Sequence, residues 1–276
     1  MPEKNWRTEF AKIWVKYWTA PARPTAGSLA FLRNKIVQFP KTNPSVLILG
    51  STSEFRDMMI DLGIRPTVVD FSRDNYDILS GAMKYKDRYR ENEAYVEADW
   101  RTMDLGRQFD IILTDAAFNV VPKDSNRQLL SNIVKQLLPD GIFIDRIHQV
   151  PPGYETFNFF EEVKEHKKDI DERSLYEVFG TPMYYAVQKE ENEPIPLQEV
   201  AQLSDECLLR GLITREQYDE YRRLGKHDAE GFVFFLPTSA FVEERVREFF
   251  DVAETFVDRD WPFYSEFYPV YLMKKK

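Results

Sequence analysis

Polar and acidic residues follow the predicted strands at intervals that suit a nucleotide-like ligand. Gly50 and Ser51 come directly after the apolar run VLIL, Asp70 after TVV, and Asp115 after IILT. A carboxylate about 20 residues beyond such a glycine can reach the two hydroxyls of a ribose. Strands often end in Asp or Gly without any functional role, so each position alone is weak evidence. The ordered series of such positions predicts a ligand site.

The loop after the first predicted strand lacks the glycines of a dinucleotide site. Thr52 and Phe55 stand where the second and third glycines of GxGxxG would lie. A GxxxxGK[ST] phosphate-binding loop is also missing from the sequence. Close backbone approach to a pyrophosphate is therefore disfavoured, and a ligand with a ribose but no phosphate fits better.

Charge and cysteine content disfavour several other classes of function. The 276 residues include 37 basic and 46 acidic side chains, a net charge of −9, which argues against nucleic-acid binding. One cysteine and three well-separated histidines predict neither a disulfide framework nor a metal site. The sequence shows no signal peptide and no apolar run of the ~20 residues that span a bilayer. We expect a cytoplasmic protein without a membrane partner.

Strands and helices alternate along the segment that would position these residues. Apolar runs predict strands over 45–50, 66–70, 94–98, 109–115 and 141–147. Helical spacing predicts intervening helices over 54–62, 73–84 and 125–138. Such alternation is typical of a parallel sheet with helices on both faces.

The alternation stops near residue 150 and returns near residue 231. Between them the spacing predicts three or four helices, including one that begins after Pro196 and one capped by Thr214 and Gln217. A strand over 231–236, a helix over 240–250, and two antiparallel strands over 251–258 and 267–274 follow. The predicted fold is α/β: a Rossmann-like parallel sheet with a C-terminal antiparallel hairpin and a helical insertion before the last helix.

Three units follow from this pattern. Residues 1–40 would form an N-terminal helical lid with aromatic side chains at helical spacing over 6–18. Residues 41–150 together with 237–276 would form the Rossmann-like cofactor-binding domain. Residues 151–236 would form a helical insertion that caps the substrate.

The order of motifs resembles that of class I S-adenosylmethionine-dependent methyltransferases. The resemblance rests on VLILGSTSE, VVD, ADW, FDIILTD and LLPDGIFIDR, and it covers about 40–150 and 237–276. An LGxTxE loop and a DW pair resemble a bacterial subgroup of that family. The first motif departs from the usual (D/E)xGxGxG, since Ile48, Thr52 and Glu54 replace its acidic residue and later glycines.

The resemblance implies S-adenosylmethionine as cofactor and assigns residues to it. Gly50 would let the methionine portion cross the loop that also contains Thr52. Ser51 and Glu54 would form a capping box at a helix start that receives the cofactor carboxylate. Asp70 would accept both ribose hydroxyls.

Further along the chain, Asp99 would accept from the adenine amino group, and Trp100 would pack beside the ring. Asp115 would face the cofactor's ammonium or the reacting methyl group. Core packing is the alternative for Trp100, and helix capping alone is the alternative for Glu54.

Catalytic and substrate roles fall on residues near the same strand ends. Asp115 and His148 are the catalytic candidates, with His148 as a general base if the acceptor is a hydroxyl or a protonated amine. The candidate substrate contacts are Tyr17, Arg23, Asn119 and Arg146. The alternatives are core packing for Tyr17, surface ion pairs for the arginines and a polar loop position for His148.

Three functions remain open from the sequence. The first is methyl transfer to a small-molecule substrate. The second is a binding or sensor protein for S-adenosylmethionine that transfers nothing, which the glycine-poor loop favours. The third, a protein or tRNA methyltransferase, is disfavoured for tRNA by the acidic charge balance. The sequence indicates no oligomeric state.

Overall fold

A single mixed sheet forms the centre of the protein. The computed structural model describes residues 19–223 and 234–276, and the strands are β1 Val46–Leu49, β2 Thr67–Asp70, β3 Ala94–Glu97, β4 Phe109–Asp115, β5 Leu137–Arg146, β6 Phe250–Phe256 and β7 Val270–Lys275. Their spatial order is β3-β2-β1-β4-β5-β7-β6. β1 to β5 are mutually parallel, whereas β7 runs antiparallel to both β5 and β6. The predicted α/β fold is confirmed.

Helices cover both faces of the sheet and also form a separate group. In chain order they are α1 Ala26–Val37, α2 Ser53–Asp61, α3 Arg73–Ser80, α4 Tyr89–Asn92, α5 Ala117–Val120, α6 Asn126–Gln136, α7 Phe159–Glu165, α8 Lys167–Glu172, α9 Leu175–Val187, α10 Leu197–Leu209, α11 Arg215–Arg223 and α12 Ser239–Arg247. Within 19–223 and 234–276, none of them is long and apolar enough to cross a bilayer. The helices α7 to α11 come between β5 and α12, which is where the insertion was expected.

Burial on both faces explains why the central strands are continuous apolar runs. Ile48, Leu113 and Ile144 pack with α1, α2 and α3 on one face. Leu49 and Phe143 pack with α6 and α12 on the other. Because side chains alternate along a strand, only a run that is apolar throughout can fill two cores.

The inserted helices pack around a further core, which includes Phe179 and Val200 from the insertion and Phe267 and Tyr268 from the segment before β7. The predicted capping box at α11 is confirmed. The Thr214 backbone N–H donates to Gln217 Oε1 at 2.8 Å, and the Gln217 N–H donates to Thr214 Oγ1 at 3.2 Å.

Several expected boundaries differ in the structure. The helix predicted over 73–84 ends at Ser80, and β5 begins at Leu137 because that residue pairs with Phe109 before a register shift. The strand predicted over 231–236 is wrong for 234–236, which form no strand, and 231–233 lie outside the described residues. Phe234 and Leu236 pack into the core of the inserted helices, so their apolar pattern reflects burial and not strand pairing.

Candidate functional site

The turn after β1 requires a glycine. Gly50 has a φ of +92°, a region that side chains with a Cβ rarely adopt. Its N–H donates to the Val69 carbonyl at 2.8 Å, which ties the turn to β2. A Cβ at this position would come 3.5 Å from the Trp100 ring, so the backbone conformation and not crowding selects glycine.

Asp70, at the end of β2, is a buried carboxylate whose hydrogen-bond donors among the described residues are neutral. The Ser51 hydroxyl donates to Oδ2 at 2.6 Å, and the Ser72 N–H donates to Oδ1 at 3.2 Å. Burial raises the pKa of Asp70 to about 6, and these hydrogen bonds oppose the rise. Carboxylate oxygens have about four lone-pair sites, so Asp70 retains capacity for further donors.

The capping box predicted from Ser51 and Glu54 is wrong. The residue at the N-cap of α2 is Thr52, and its side chain makes no capping hydrogen bond within the described residues. The Ser51 hydroxyl is instead turned toward Asp70, and the Glu54 carboxylate toward Arg23. Long-range partners have displaced the local motif.

Arg23 and Glu54 form an ion pair at the first turn of α2. Arg23 Nε donates to Glu54 Oε1 at 2.5 Å, and a second guanidinium nitrogen lies beside the same oxygen. Burial raises the pKa of Glu54, while Arg23 and the residue's own backbone N–H lower it and Asp115 raises it further. Glu54 and Asp115 are therefore close enough to repel each other.

Arg146 is a buried arginine at the end of β5 whose donors face protein acceptors. Its Nε donates to Asp115 Oδ1 at 2.8 Å, and its terminal nitrogens donate to the carbonyls of Pro21 at 2.6 Å and Ala22 at 2.7 Å. The guanidinium also lies over the Tyr268 ring. Burial raises the pKa of Asp115, and Arg146 offsets part of the rise. Arg146 thus anchors the segment before α1 to the sheet.

His148 and Asn119 are joined by backbone hydrogen bonds beyond the ends of β5 and β4. Asn119 Nδ2 donates to the carbonyls of His148 at 2.6 Å and Phe235 at 2.8 Å, and its Oδ1 accepts from the His148 N–H at 3.0 Å. The His148 ring is buried edge-on to Tyr268, with 4.4 Å between centroids. This geometry favours Asn119 as a brace for the His148 loop over direct substrate contact.

Asp99 and Trp100 lie on the β2–β3 side of the edge. Arg101 binds Asp99 through its backbone N–H and its guanidinium, and these contacts lower the pKa of Asp99. Trp100 Nε1 donates to the Val69 carbonyl at 2.9 Å, and its ring lies beside Gly50. The half-buried Trp100 therefore forms a wall next to the β1 turn.

The structure brings the predicted residues together in two neighbouring groups. We call the first the β1–β2 group, which contains Gly50, Ser51, Asp70, Asp99 and Trp100. We call the second the charged quartet, which contains Arg23, Glu54, Asp115 and Arg146. The predicted Tyr17, and the aromatic lid over 6–18, lie outside the described residues.

Sequence reasoning missed Asp145. It lies on β5 opposite Thr114 of β4, is fully buried, and neither carboxyl oxygen has a hydrogen-bond partner among residues 19–223 and 234–276. Burial raises its pKa to about 7, so the neutral acid is the form that the fold favours. The signal that could have revealed it is an acidic residue inside the apolar run GIFIDRI.

In the part of the chain that the structure describes, no cluster of three or more His, Cys, Asp or Glu side chains could hold a metal ion. What the site offers is a set of carboxylates, two guanidinium groups, a tryptophan face and a backbone turn. That set can bind hydroxyls, amines and carboxylates of an organic ligand.

Comparison with known proteins identifies the fold. No family model and no curated protein matches the sequence. The CcbJ methyltransferase from Streptomyces caelestis matches with a TM-score of 0.56 and 13% identity, over 97% of this chain and 98% of that one. A putative Zn-dependent alcohol dehydrogenase from Rhodobacter sphaeroides has a TM-score of 0.56 and 16% identity, over 99% and 100%.

A third solved structure is the glycopeptide N-methyltransferase MtfA complexed with S-adenosylhomocysteine. It has a TM-score of 0.50 and 12% identity, and the match covers 96% of each chain. At such identities the likeness establishes the Rossmann-like fold, and function is argued from the site.

Proposed function

We propose that the protein is an S-adenosylmethionine-dependent methyltransferase that acts on a small molecule. The observation that carries this proposal is the pairing of Gly50 with Asp70 at adjacent strand ends. The positive φ of Gly50 and the neutral-donor environment of Asp70 suit a nucleoside without phosphates. Two of the matched structures are described as methyltransferases, which supports the same reading.

The β1–β2 group would fit an adenosine. Asp70 would accept the two ribose hydroxyls with its remaining lone pairs. Because Gly50 has no Cβ, the ligand could lie close against the backbone of the loop that contains Ser51 and Thr52. Trp100 would pack against the base. Asp99 would accept from the adenine amino group while it keeps its contact with Arg101.

When bound, the cofactor supplies an activated methyl group. The protein then has to orient an acceptor, exclude water and accept a proton where the acceptor carries one. His148 would accept that proton at a ring nitrogen, and Asn119 would hold the His148 backbone in place. Asp115, paired with Arg146, would contribute negative charge near the reacting methyl group.

The inserted helices would provide the acceptor pocket. Tyr176 and Tyr184 of α9 are buried close to each other and to Tyr268, which also contacts His148 and Arg146. Aromatic side chains of the insertion therefore reach the carboxyl end of β5. A pocket walled in this way suits a small molecule with apolar or aromatic parts.

Calorimetry with S-adenosylhomocysteine tests the cofactor assignment. We expect the native chain to bind it, and Asp70→Ala to lose most of that affinity while its circular dichroism stays unchanged. The exposed Asp87 offers a matched control, because Asp87→Ala removes the same charge away from the site. Unchanged affinity in Asp70→Ala would contradict the proposal.

The second candidate is a cofactor-binding sensor without transfer activity. The glycine-poor first loop and the burial of His148 favour it. Incubation with methyl-labelled S-adenosylmethionine and a metabolite extract distinguishes the two, because a sensor yields no labelled product. Label recovered in protein or RNA instead of small molecules would replace the substrate class that we propose.

A further inference from the structure

We propose that Gln188, which follows α9, is a positioning residue for His148 and acts through residues 234–238. We call residues 234–238 the return segment, because they lead back along the chain from the inserted helices to α12. The inference rests on the proposed function for the role of His148 as proton acceptor. It goes beyond that function because it makes the position of His148 depend on the inserted helices.

The return segment is held from two sides by alternate residues. The backbone groups of Phe234, Leu236 and Thr238 bond to the inserted helices and the loop after α9. Those of Phe235 and Pro237 bond to the loops after β4 and β5. Such alternation is typical of extended backbone, in which successive residues direct their N–H and C=O groups to opposite sides. The segment therefore links the insertion to the carboxyl edge of the sheet.

On the insertion side, the amide of Gln188 satisfies both backbone groups of Leu236. The Leu236 N–H donates to Gln188 Oε1 at 3.1 Å, and Gln188 Nε2 donates to the Leu236 carbonyl at 3.1 Å. Leu236 is fully buried, so these backbone groups would be costly to leave without partners. Gln188 thereby fixes where the middle of the return segment lies.

On the sheet side, Asn119 and Phe234 connect the return segment to His148. Asn119 Nδ2 donates to the carbonyls of both Phe235 and His148, and the Phe235 N–H donates to the Asn119 carbonyl at 3.2 Å. The Phe234 ring lies edge-on to the His148 imidazole, with 5.8 Å between centroids. A displacement of the return segment would therefore move both the backbone and the ring of His148.

The helix α9 connects Gln188 to the proposed acceptor pocket. The Gln188 N–H donates to the carbonyls of Tyr184 and Tyr185, both at 3.1 Å, in the last turn of α9. The ring of Tyr184 also packs against Phe234, with 5.5 Å between centroids. An acceptor that lies against α9 would thus press on the same residues that place His148. The arrangement couples acceptor binding to the position of the proton acceptor.

NMR of histidine-labelled protein tests the proposal without any ligand. The resonances of the His148 ring report its position, because the rings of Tyr268 and Phe234 lie edge-on to it. His148→Gln identifies those resonances. We expect Gln188→Ala to shift them and to leave the resonances of His166 unchanged. Hydrogen exchange of the Leu236 amide should become about 5- to 100-fold faster, since two neutral hydrogen bonds are lost, and that of the His148 amide should also become faster.

Two further variants separate positioning from a general loss of packing. Gln188→Glu keeps an acceptor for the Leu236 N–H and should give smaller changes than Gln188→Ala. Gln202→Ala removes an exposed glutamine from α10 and is the matched control, with no expected shift. Unshifted His148 resonances in a folded Gln188→Ala, or equal shifts at His148 and His166, would overturn the proposal.

The consequence for methyl transfer is measured with methyl-labelled S-adenosylmethionine at saturation and a metabolite extract as the source of acceptor. The rate of label transfer in Gln188→Ala should fall by up to about 100-fold, as a displaced catalytic group predicts. The affinity for S-adenosylhomocysteine should stay within about twofold. An unchanged rate would overturn the catalytic part of the proposal. If the native chain transferred no label, the proposed function would fail, and the NMR comparison would still decide whether Gln188 positions His148.

Discussion

Two buried carboxylates at the same edge of the sheet have opposite surroundings. Asp70 accepts from a hydroxyl and a backbone N–H, which are both neutral. Asp115 faces the guanidinium of Arg146, which also holds two carbonyls of the segment before α1. The negative charge of a carboxylate whose donors are neutral is available to a ligand. The negative charge of a carboxylate beside a buried cation is already compensated by that cation. On the proposed function, the comparison predicts that Asp70 binds the ligand, whereas Asp115 is already paired with the arginine that anchors the segment before α1.

Asp145 extends the comparison to a third environment. It lies one residue before Arg146, on the other face of β5, and neither of its carboxyl oxygens has a hydrogen-bond partner among the described residues. Desolvation then favours the protonated, neutral form of its carboxyl group. Three variants test how far these differences in surroundings decide the behaviour of the acids, and a fourth tests the turn at Gly50.

The largest effect is expected from Arg146→Ala. This change leaves Asp115 buried without its cation and frees the carbonyls of Pro21 and Ala22. Removing one partner of a buried pair costs about 3–5 kcal/mol, which urea unfolding would measure. Arg127→Ala, which breaks an exposed pair with Glu248, should cost less than about 1 kcal/mol. Similar costs for the two variants would contradict the anchoring role.

Asp145→Asn should change how stability depends on pH. The pKa of Asp145 in the fold, about 7, lies above its ordinary value of 3.8, so its stabilising effect is complete below 3.8 and is lost as pH rises through 7. The difference between native and variant unfolding free energies should therefore shift by up to about 4 kcal/mol between pH 4 and pH 8, in favour of the variant at high pH. Urea titrations at several pH values measure it, and parallel curves would refute the neutral acid.

Asp70 should make the binding of S-adenosylhomocysteine depend on pH. The ribose hydroxyls need an ionised acceptor, and the pKa of Asp70 in the free protein is about 6. Affinity should be constant above pH 7 and should fall by up to about tenfold per unit below pH 6. In Asp70→Asn, calorimetry should give weaker binding with no such dependence. A native affinity that rises on acidification would contradict the assignment.

The smallest effect is expected from Gly50→Ala. An alanine at a φ of +92° strains the turn by about 1–2 kcal/mol, and the new Cβ meets only ordinary contact with Trp100. Gly63→Ala, at a φ of +67° and with no atom within 4 Å of the added Cβ, is the control and should cost less. Thermal unfolding compares them, and equal costs would mean that the turn at Gly50 carries no special strain.

The sequence predicted the sheet better than it predicted the contacts of the site. The apolar stretches of β1, β2 and β4 identified these strands, because burial on both faces favours apolar side chains on both sides of a strand. The capping box at Thr214 was also predictable, since α11 begins with residues that have no competing long-range partner. The capping box predicted at Ser51 was wrong, because the Ser51 hydroxyl donates to Asp70, which lies 19 residues away in sequence but adjacent in space.

The succession of strands along the chain and the polar residues that end them follow from the sequence alone. Side-chain period and strand length are local properties, and the alternation of strands with helices predicts parallel strands. Because the carboxyl ends of parallel strands meet at one edge of the sheet, Gly50, Asp70 and Asp115 are predicted to share that edge. Only the tertiary structure decided which charge pairs with which. Arg23 finds Glu54 across 31 residues, and Arg146 reaches Ala22 across 124, because burial penalises any charge that the fold leaves alone.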